Sequence, residues 1–337
     1  MKFLSNLITF LLPLPLWYPF SNHNVKENEL KSTTFFSNPY IMYRDKNDSL
    51  VIHSNICPHQ GGIFSNGGFL NKECNIVCPY HGFTYDNGTF LGIHNQDYFR
   101  GRRFQKKQQL RTFQVKEENG IIFVSNDFLK EEEDTIYSPP EHFNDSFRFV
   151  SGHRILHNNF LTVTENLLDM LHISFVHSFG SENDIPMNIK FENISKIHGK
   201  TSFEYRPSKK SLGTFLEPSR QRNDFVVQVE NEFILPTTTV TRVFIGENVK
   251  TVFTQSIPID ENKTMLTWRL YRNFWNQNIL EKYFGDFLVK QLMEKIIEED
   301  INILKNINVR DRDGIIKTKY DRTIVEFRKF MNNFNNL

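Results

Sequence analysis

The sequence predicts an α+β chain of two domains: an N-terminal antiparallel β domain, then a curved antiparallel sheet gripping a long C-terminal helix. Three observations carry this. Between Tyr40 and Asn126, short β-prone runs alternate with turn residues. An acidic, proline-closed run, KEEEDTIYSPP at 130–140, then interrupts the chain. Beyond it, alternation such as Phe225, Val227 and Val229 within 190–271 gives way to helical spacing from Asn278 to Ile307.

In chain order, the apolar run from Leu7 to Phe20 comes first. Pro13, Pro15 and Pro19 break it, it is shorter than the roughly 18–20 residues a membrane span needs, and no small-residue cleavage site follows. Residues 1–16 are therefore expected to be an arm that packs on the body or touches a membrane surface, with no transmembrane segment. Strands are expected at Tyr40–Tyr43, Leu50–His53, Asn75–Cys78, Phe83–Tyr85, Thr89–Leu91, Arg111–Lys116 and Ile121–Val124. Asn66-Gly67, Asn87-Gly88 and Asn119-Gly120 supply the positive-φ positions of tight hairpins. These make up a first domain at 17–128. A solvated, stiff linker follows at 129–142, and a second domain occupies 143–337, with a helical stretch from Asn159 to Phe179. In its long helix, Leu280, Phe284, Phe287, Leu288, Leu292, Ile296, Ile303, Leu304 and Ile307 are read as the apolar stripe.

Charge excludes one class of function: Lys plus Arg number 40 against 39 Asp plus Glu, net +1, so nucleic acid is not an expected partner. The 33 phenylalanines read as a compositional bias rather than a functional signature. The only cysteines are Cys57, Cys74 and Cys78, too few and too clustered for a disulfide-stapled secreted domain. They point to metal chemistry in a reducing compartment, cytoplasmic or organellar.

Two segments share one chemical format: Cys57-Pro58-His59 before Gly61 and Gly62, and Cys78-Pro79-Tyr80-His81 before Gly82. Each offers a thiolate and an imidazole. Structural zinc usually takes its cysteines from one short motif, whereas here each loop matches one cysteine with one histidine. That division suits a [2Fe-2S] cluster with two thiolates on one iron and two imidazoles on the other, a Rieske centre. The glycines let main-chain N–H groups approach the sulfurs. Cys74 stands outside the set, and Tyr80 is read either as a donor to a ligand or sulfur or as strand-end packing.

A second constellation lies in the helical stretch. His172 and His177 sit amid Leu171, Ile173, Phe175 and Val176, where alone they would read as core; beside an upstream redox motif they suit a 2-His-1-carboxylate iron site. Positions five apart diverge by about 140° on a helix, so a shared metal requires the helix to bend or end between them. Asp169 precedes His172 by one turn and is expected to accept its ring N–H. For the third ligand, Asp300 is the first choice and Glu299 the second, because Glu298-Glu299-Asp300 runs into an isoleucine-rich stripe where a carboxylate needs a partner.

On these residues the chain resembles the terminal oxygenase component of a Rieske non-haem iron oxygenase, in the vanillate demethylase-like and pheophorbide a oxygenase-like branch. The likeness rests on Cys-x-His and Cys-x2-His at 57, 59, 78 and 81, and on Glu-x3-Asp-x2-His-x4-His at 165, 169, 172 and 177. It extends from Trp17-Tyr18-Pro19 to Glu299-Asp300 and the segment from Asp321 to Arg328. Gln60 and Phe83 stand where the family commonly has Arg and Trp; neither removes a ligand. The C-terminal Cys-x2-Cys and membrane segments of plant pheophorbide-type relatives are absent from this sequence.

The resemblance implies a helix-grip-like catalytic domain, a [2Fe-2S] Rieske cluster, mononuclear Fe(II) and O2 as co-substrate. A separate reductase or ferredoxin would supply electrons, and the substrate would be a small apolar organic molecule, hydroxylated or demethylated by a monooxygenase. Its pocket is expected between Leu167, Leu168 and Leu171, the strands from Phe225 to Phe253, and the long helix. The resemblance further implies a head-to-tail homotrimer in which Asp169 bridges His172 to a neighbour's cluster histidine, His81. Glu165 would fix the iron histidines or a channel water, and Asn166 would edge the iron pocket. The alternative reading is a Rieske-type electron carrier without oxygenase activity.

Overall fold

The computed structural model describes residues 16–96, 110–125, 135–182, 185–206, 208, 216, 226–308, 314 and 316–335. The expected arm up to Pro15, residues 129–134 of the expected linker, and Phe225 lie outside them. The chain divides into two compact units, Met1–Ile136 and Tyr137–Leu337.

Three small antiparallel sheets build the first unit. One has the order β1-β10-β9 (Tyr18–Ser21, Ile121–Ser125, Gln114–Glu118), and a second has β2-β3-β4 (Lys31–Phe35, Asn38–Arg44, Leu50–Ser54). The third is β5-β6-β7-β8 (Phe69–Leu70, Ile76–Val77, Phe83–Asp86, Thr89–Ile93). Asn87-Gly88 closes the β7–β8 hairpin and Asn119-Gly120 the β9–β10 hairpin, with φ positive at all four residues, as two-residue primed turns require. Asn66-Gly67 instead turns within the long β4–β5 connection, where only the glycine has positive φ. Sequence reading missed β1, β2 and the two-residue β5. The alternation of β2 is weak, and its register is set by pairing with β3.

In the second unit a seven-stranded antiparallel sheet has the order β11-β17-β16-β15-β14-β13-β12. Its strands are β11 Arg148–Leu156, β12 Met187–Ser195, β13 His198–Tyr205, β14 Val227–Ile234, β15 Thr238–Ile245, β16 Asn248–Asp260 and β17 Lys263–Arg272. Successive strands from β12 onward are neighbours, so the chain must cross from the β11 edge to the β12 edge before the meander begins. The crossing carries α1 (Phe160–Leu168) and α2 (His172–Phe175). Two further helices, α3 (Ile279–Leu304) and α4 (Arg322–Asn335), follow the sheet.

Two expectations are corrected here. The buried face of α3 is Gly285, Val289, Met293, Ile297, Asp300 and Leu304, whereas Leu280, Phe284 and Phe287 are 79%, 61% and 60% exposed. Periodicity finds an apolar stripe but not which neighbour covers it; the sheet-facing side admits Gly285 because the Arg272 guanidinium fills that space. The stretch at 129–142 is also more than a connection. Pro140–Phe143 forms a 3-10 turn whose Glu141 is buried against Arg242 and Thr251 of the sheet.

Candidate metal centres

The two loops of the first unit have one backbone design. The Cys57 N–H donates to the Gly62 carbonyl and the Gly61 N–H returns to the Cys57 carbonyl, at 2.8 and 3.0 Å; Cys78, Phe83 and Gly82 repeat both bonds at the same lengths. Gly61 and Gly82 close these turns with φ of +74° and +69°, the left-handed region that favours glycine.

The thiols are buried in the domain core with Phe64, Ile76 and Tyr85, while both imidazoles are exposed, their ring centroids 4.8 Å apart. Sulfur thus faces low dielectric and the histidine edges face outward. Burial pushes the Cys78 thiol up, against backbone N–H groups of Tyr80 and His81 directed at its sulfur. A Cβ on Gly62 would stand 2.8 Å from the Cys78 sulfur, so only glycine leaves the space between the loops open.

Tyr80 meets the donor expectation only through its backbone N–H, directed at the Cys78 sulfur; its side chain is 61% exposed, with its ring 3.8 Å from that of His81. The hydroxyl near a sulfur is that of Tyr85, 3.3 Å from Cys57 Sγ, with its phenol pushed well above the usual range by burial and by Cys57. A tyrosine in the buried phase of β7, directly after the ligand loop, was the available signal. Phe83 stacks on His59 at 4.1 Å and 9°. Cys74 is a half-buried free thiol outside the set.

In the second unit, α1 is capped at its start by Asn159, whose side chain accepts from the Thr162 N–H. At its end the buried Asn231 of β14 donates to the carbonyls of Leu167 and Leu168, and Asp169 leaves the helix with ψ of 120°. The short α2 then ends at Phe175, before His177, so the helix does end between the two histidines as a shared metal requires.

Hydrogen-bond partners fix both ring tautomers. His172 Nδ1 lies 2.7 Å from the Asp169 carbonyl and His177 Nδ1 lies 3.0 Å from Glu299 Oε2. Oxygen can only accept here, so each Nδ1 carries the proton and each Nε2 presents a lone pair. These two Nε2 atoms are 3.0 Å apart, and Asp300 Oδ1 lies 3.6 Å from one and 3.7 Å from the other. Asp300 Oδ1 is buried with no hydrogen-bond partner. Burial holds the His177 imidazole below its ordinary pKa, which favours the neutral form a ligand needs.

With both rings in the neutral tautomer that their Nδ1 partners favour, two Nε2 lone pairs and Asp300 Oδ1 converge, an arrangement that a cation would satisfy. Two donors at right angles and about 2.1 Å from an ion stand about 3 Å apart, so the triangle fits one divalent metal with open positions. Among the described residues this is the one group of such side chains converging within 4.8 Å. Cys57, His59, Cys78 and His81 do not close that tightly, as a single tetrahedral zinc would demand.

Asp169 acts on His172 through its carbonyl, not its carboxylate as expected. Its Oδ1 accepts from the Leu171 and His172 N–H groups, at 2.8 and 3.3 Å, because the chain turns there. Glu299 serves as the orienter of His177. Glu165 is buried in a bidentate pair with Arg328 of α4, at 2.7 and 2.8 Å, and does not reach the histidines by any hydrogen bond described.

Comparison with known proteins agrees with this division. The Rieske [2Fe-2S] domain model matches residues 17–100, and the vanillate O-demethylase oxygenase C-terminal domain model matches 156–336. A structure of dicamba monooxygenase bound to dicamba aligns with a TM-score of 0.72 at 16% identity, covering 97% of this chain and 98% of that one. Pseudomonas putida CBB5 NdmA with caffeine aligns with the same score and identity, covering 96% and 91%. No curated protein matches.

Proposed function

The chain belongs to the vanillate O-demethylase oxygenase C-terminal domain family, joined to a Rieske [2Fe-2S] domain, and from that premise we propose how its residues divide the work of a monooxygenase. It is the terminal oxygenase component of a Rieske non-haem iron oxygenase. Electrons come from a separate reductase or ferredoxin, and the substrate is a small organic molecule. The similar structures hold dicamba and caffeine, and a substrate of that size is proposed for this chain.

Cys57, His59, Cys78 and His81 hold the cluster, and His172, His177 and Asp300 hold the ferrous iron. When bound, these groups supply single electrons and O2 chemistry. The protein's own part is positional. The buried Cys57 and Cys78 sulfurs, Cys78 with backbone N–H donors, would hold one iron of the cluster and the exposed His59 and His81 the other, open to an electron partner, while Glu299 and the Asp169 carbonyl orient the His177 and His172 rings toward one point. Asp169 Oδ2, which has no partner among the described residues, is free to reach a cluster histidine of a neighbouring subunit.

A homotrimer is proposed on the same grounds. Ile56, Ile63, Phe69 and Tyr80 are 41%, 39%, 43% and 61% exposed around the cluster loops, an apolar surface that another chain would cover. No helix among the described residues is long and apolar enough to cross a membrane. The free thiols support work in a reducing compartment.

The observation that carries the reading is the convergence of His172 Nε2, His177 Nε2 and the buried, unbonded Asp300 Oδ1 on one point. Purified protein should show a Rieske electron paramagnetic resonance signal plus one ferrous iron per chain that a chelator removes separately. A colourless protein, or a single class of iron, would overturn it. A pure electron carrier would leave the triad without use.

A further inference from the structure

A polar row crosses the face of the large sheet that packs against α1. Thr201 of β13, Asn231 of β14 and Thr241 of β15 are direct cross-strand neighbours, so their side chains leave the sheet on one face, the face that also carries Val229, Phe233, Val243 and Val252. A carboxamide among such residues costs free energy unless its polar atoms are bonded. Asn231 is 2% exposed and meets that condition. Its Nδ2 donates to the carbonyls of Leu167 and Leu168 at 3.3 and 3.2 Å, and its Oδ1 accepts from the Thr241 hydroxyl at 3.0 Å. Carbonyl oxygens only accept, so the amide nitrogen has to face the helix, and the Thr241 hydroxyl on the other side holds it in that orientation.

Those two carbonyls are the last of α1, and an α-helix leaves its final carbonyls without intrahelical partners, so the group that satisfies them decides where the chain goes next. Directly after Leu168 the chain leaves the helix at Asp169, with φ of −71° and ψ of 120°, and the Asp169 carbonyl is the one that accepts from His172 Nδ1 at 2.7 Å. The carbonyl that Asn231 holds and the carbonyl that orients an iron-ligand ring thus belong to consecutive peptide units. The Asp169 carboxylate fixes the far side of the bend through the Leu171 and His172 N–H groups. A fully bonded buried amide adds little net stability over a well-packed apolar side chain; what it adds is direction.

We propose that Asn231, fixed by Thr241, is a positioning residue of the mononuclear iron site: from the sheet it sets the angle at which α1 ends, and so the direction in which His172 Nε2 meets His177 Nε2 and Asp300 Oδ1. The proposal rests on the oxygenase reading of that site. Asn231 acts through backbone carbonyls and not on a ligand ring, and Thr241 acts one step further back, through Asn231. A role confined to stability lowers the melting temperature and leaves bound iron as it was. A positioning role changes the bound iron in a protein that is still folded.

The test reads the iron and needs no turnover. Holoprotein with its cluster oxidised is exposed to nitric oxide, and electron paramagnetic resonance of the ferrous nitrosyl complex reports the symmetry of the ligand set; chelator challenge reports how firmly the iron is held. Asn231→Leu, similar in volume and without donors, is expected to bind iron about tenfold more weakly, as the loss of one or two net hydrogen bonds implies, and to change the rhombic splitting of the nitrosyl signal. Thr241→Val leaves Asn231 in place but frees its amide to turn, and is expected to change the splitting in the same direction with a smaller loss of iron, while Thr241→Ser keeps the hydroxyl and the unaltered spectrum. The double substitution does no more than Asn231→Leu alone, because both act through one amide. If Asn231→Leu does not fold, Thr241→Val against Thr241→Ser decides. The proposal is overturned if the folded variants keep the unaltered spectrum and iron affinity, or if the two losses add. Iron present and indifferent to these substitutions removes only the role of Asn231; unaltered protein that holds a cluster but no separate ferrous iron removes the oxygenase reading.

Discussion

Asp300 Oδ1 shows how one atom can decide a site: buried and unbonded, it is costly unless a cation sits among it and the two Nε2 atoms. Glu299 stands one step back, holding His177 by Nδ1. Asp300→Ala is therefore expected to lose the mononuclear iron outright, whereas Glu299→Gln lowers iron affinity by about 10–100-fold. Both should leave the cluster signal intact, which metal analysis after chelator challenge would read. His53 gives a second residue-scale expectation. It is fully buried in β4, its Nδ1 donates to the Ser54 carbonyl at 2.8 Å, and its Nε2 has no partner. Burial lowers its pKa from 6.5 to about 4. The unfolded chain therefore binds this proton first as pH falls, so stability is full above pH 6.5 and drops by about 3 kcal/mol as pH falls toward 4. In His53→Phe, whose ring keeps the edge contacts to Tyr43 and Phe64, the difference in denaturant midpoint between pH 7.5 and pH 5 should shrink.

Elements were legible in the sequence where their signal is local. Hairpins at Asn87-Gly88 and Asn119-Gly120 and the interruption between His172 and His177 that a shared metal demands follow from spacing and turn chemistry, whereas the third carboxylate stays open between Asp300 and Glu299. What stayed hidden depends on distant neighbours. Asn231 caps α1 from more than sixty positions away, Arg328 reaches Glu165 from α4, and the exposed face of α3 is the one its periodicity marks as apolar. Two expectations follow. Glu165→Gln breaks the bidentate clasp between α1 and α4 and should destabilise the catalytic unit by about 2–3 kcal/mol. Adding Arg328→Met should recover part of that loss in a double-mutant cycle. On α3, Val289→Ala or Met293→Ala should cost about 1–4 kcal/mol. Phe284→Lys, on the outward face, should change the unfolding free energy of the chain by less than about 0.5 kcal/mol, and urea titrations followed by circular dichroism distinguish the two faces.

At the scale of the whole molecule, two centres on one chain must exchange electrons, and the proposed closed ring of identical subunits makes a specific demand on which chain supplies what. Asp169 belongs to the iron side, since its carbonyl holds His172. If its carboxylate reaches a neighbour's His81, a chain with only its cluster and a chain with only its iron can still cooperate. Cys78→Ser disables the cluster and Asp300→Ala the iron, and either alone should be inactive. Assembled together at equal amounts, about a quarter of neighbouring pairs place an intact cluster beside an intact iron by random assortment, and that fraction of turnover should return. Asp169→Asn then distinguishes the sides. Placed in the chain that keeps its iron, it should abolish the recovered turnover while both metals stay bound; placed in the chain that lacks iron, it should change nothing. Product formation and O2 uptake in the mixed assemblies read both outcomes. Recovery that ignores which chain carries the substitution, or no recovery at all in assemblies shown to be mixed, would mean that electrons do not cross between subunits through Asp169.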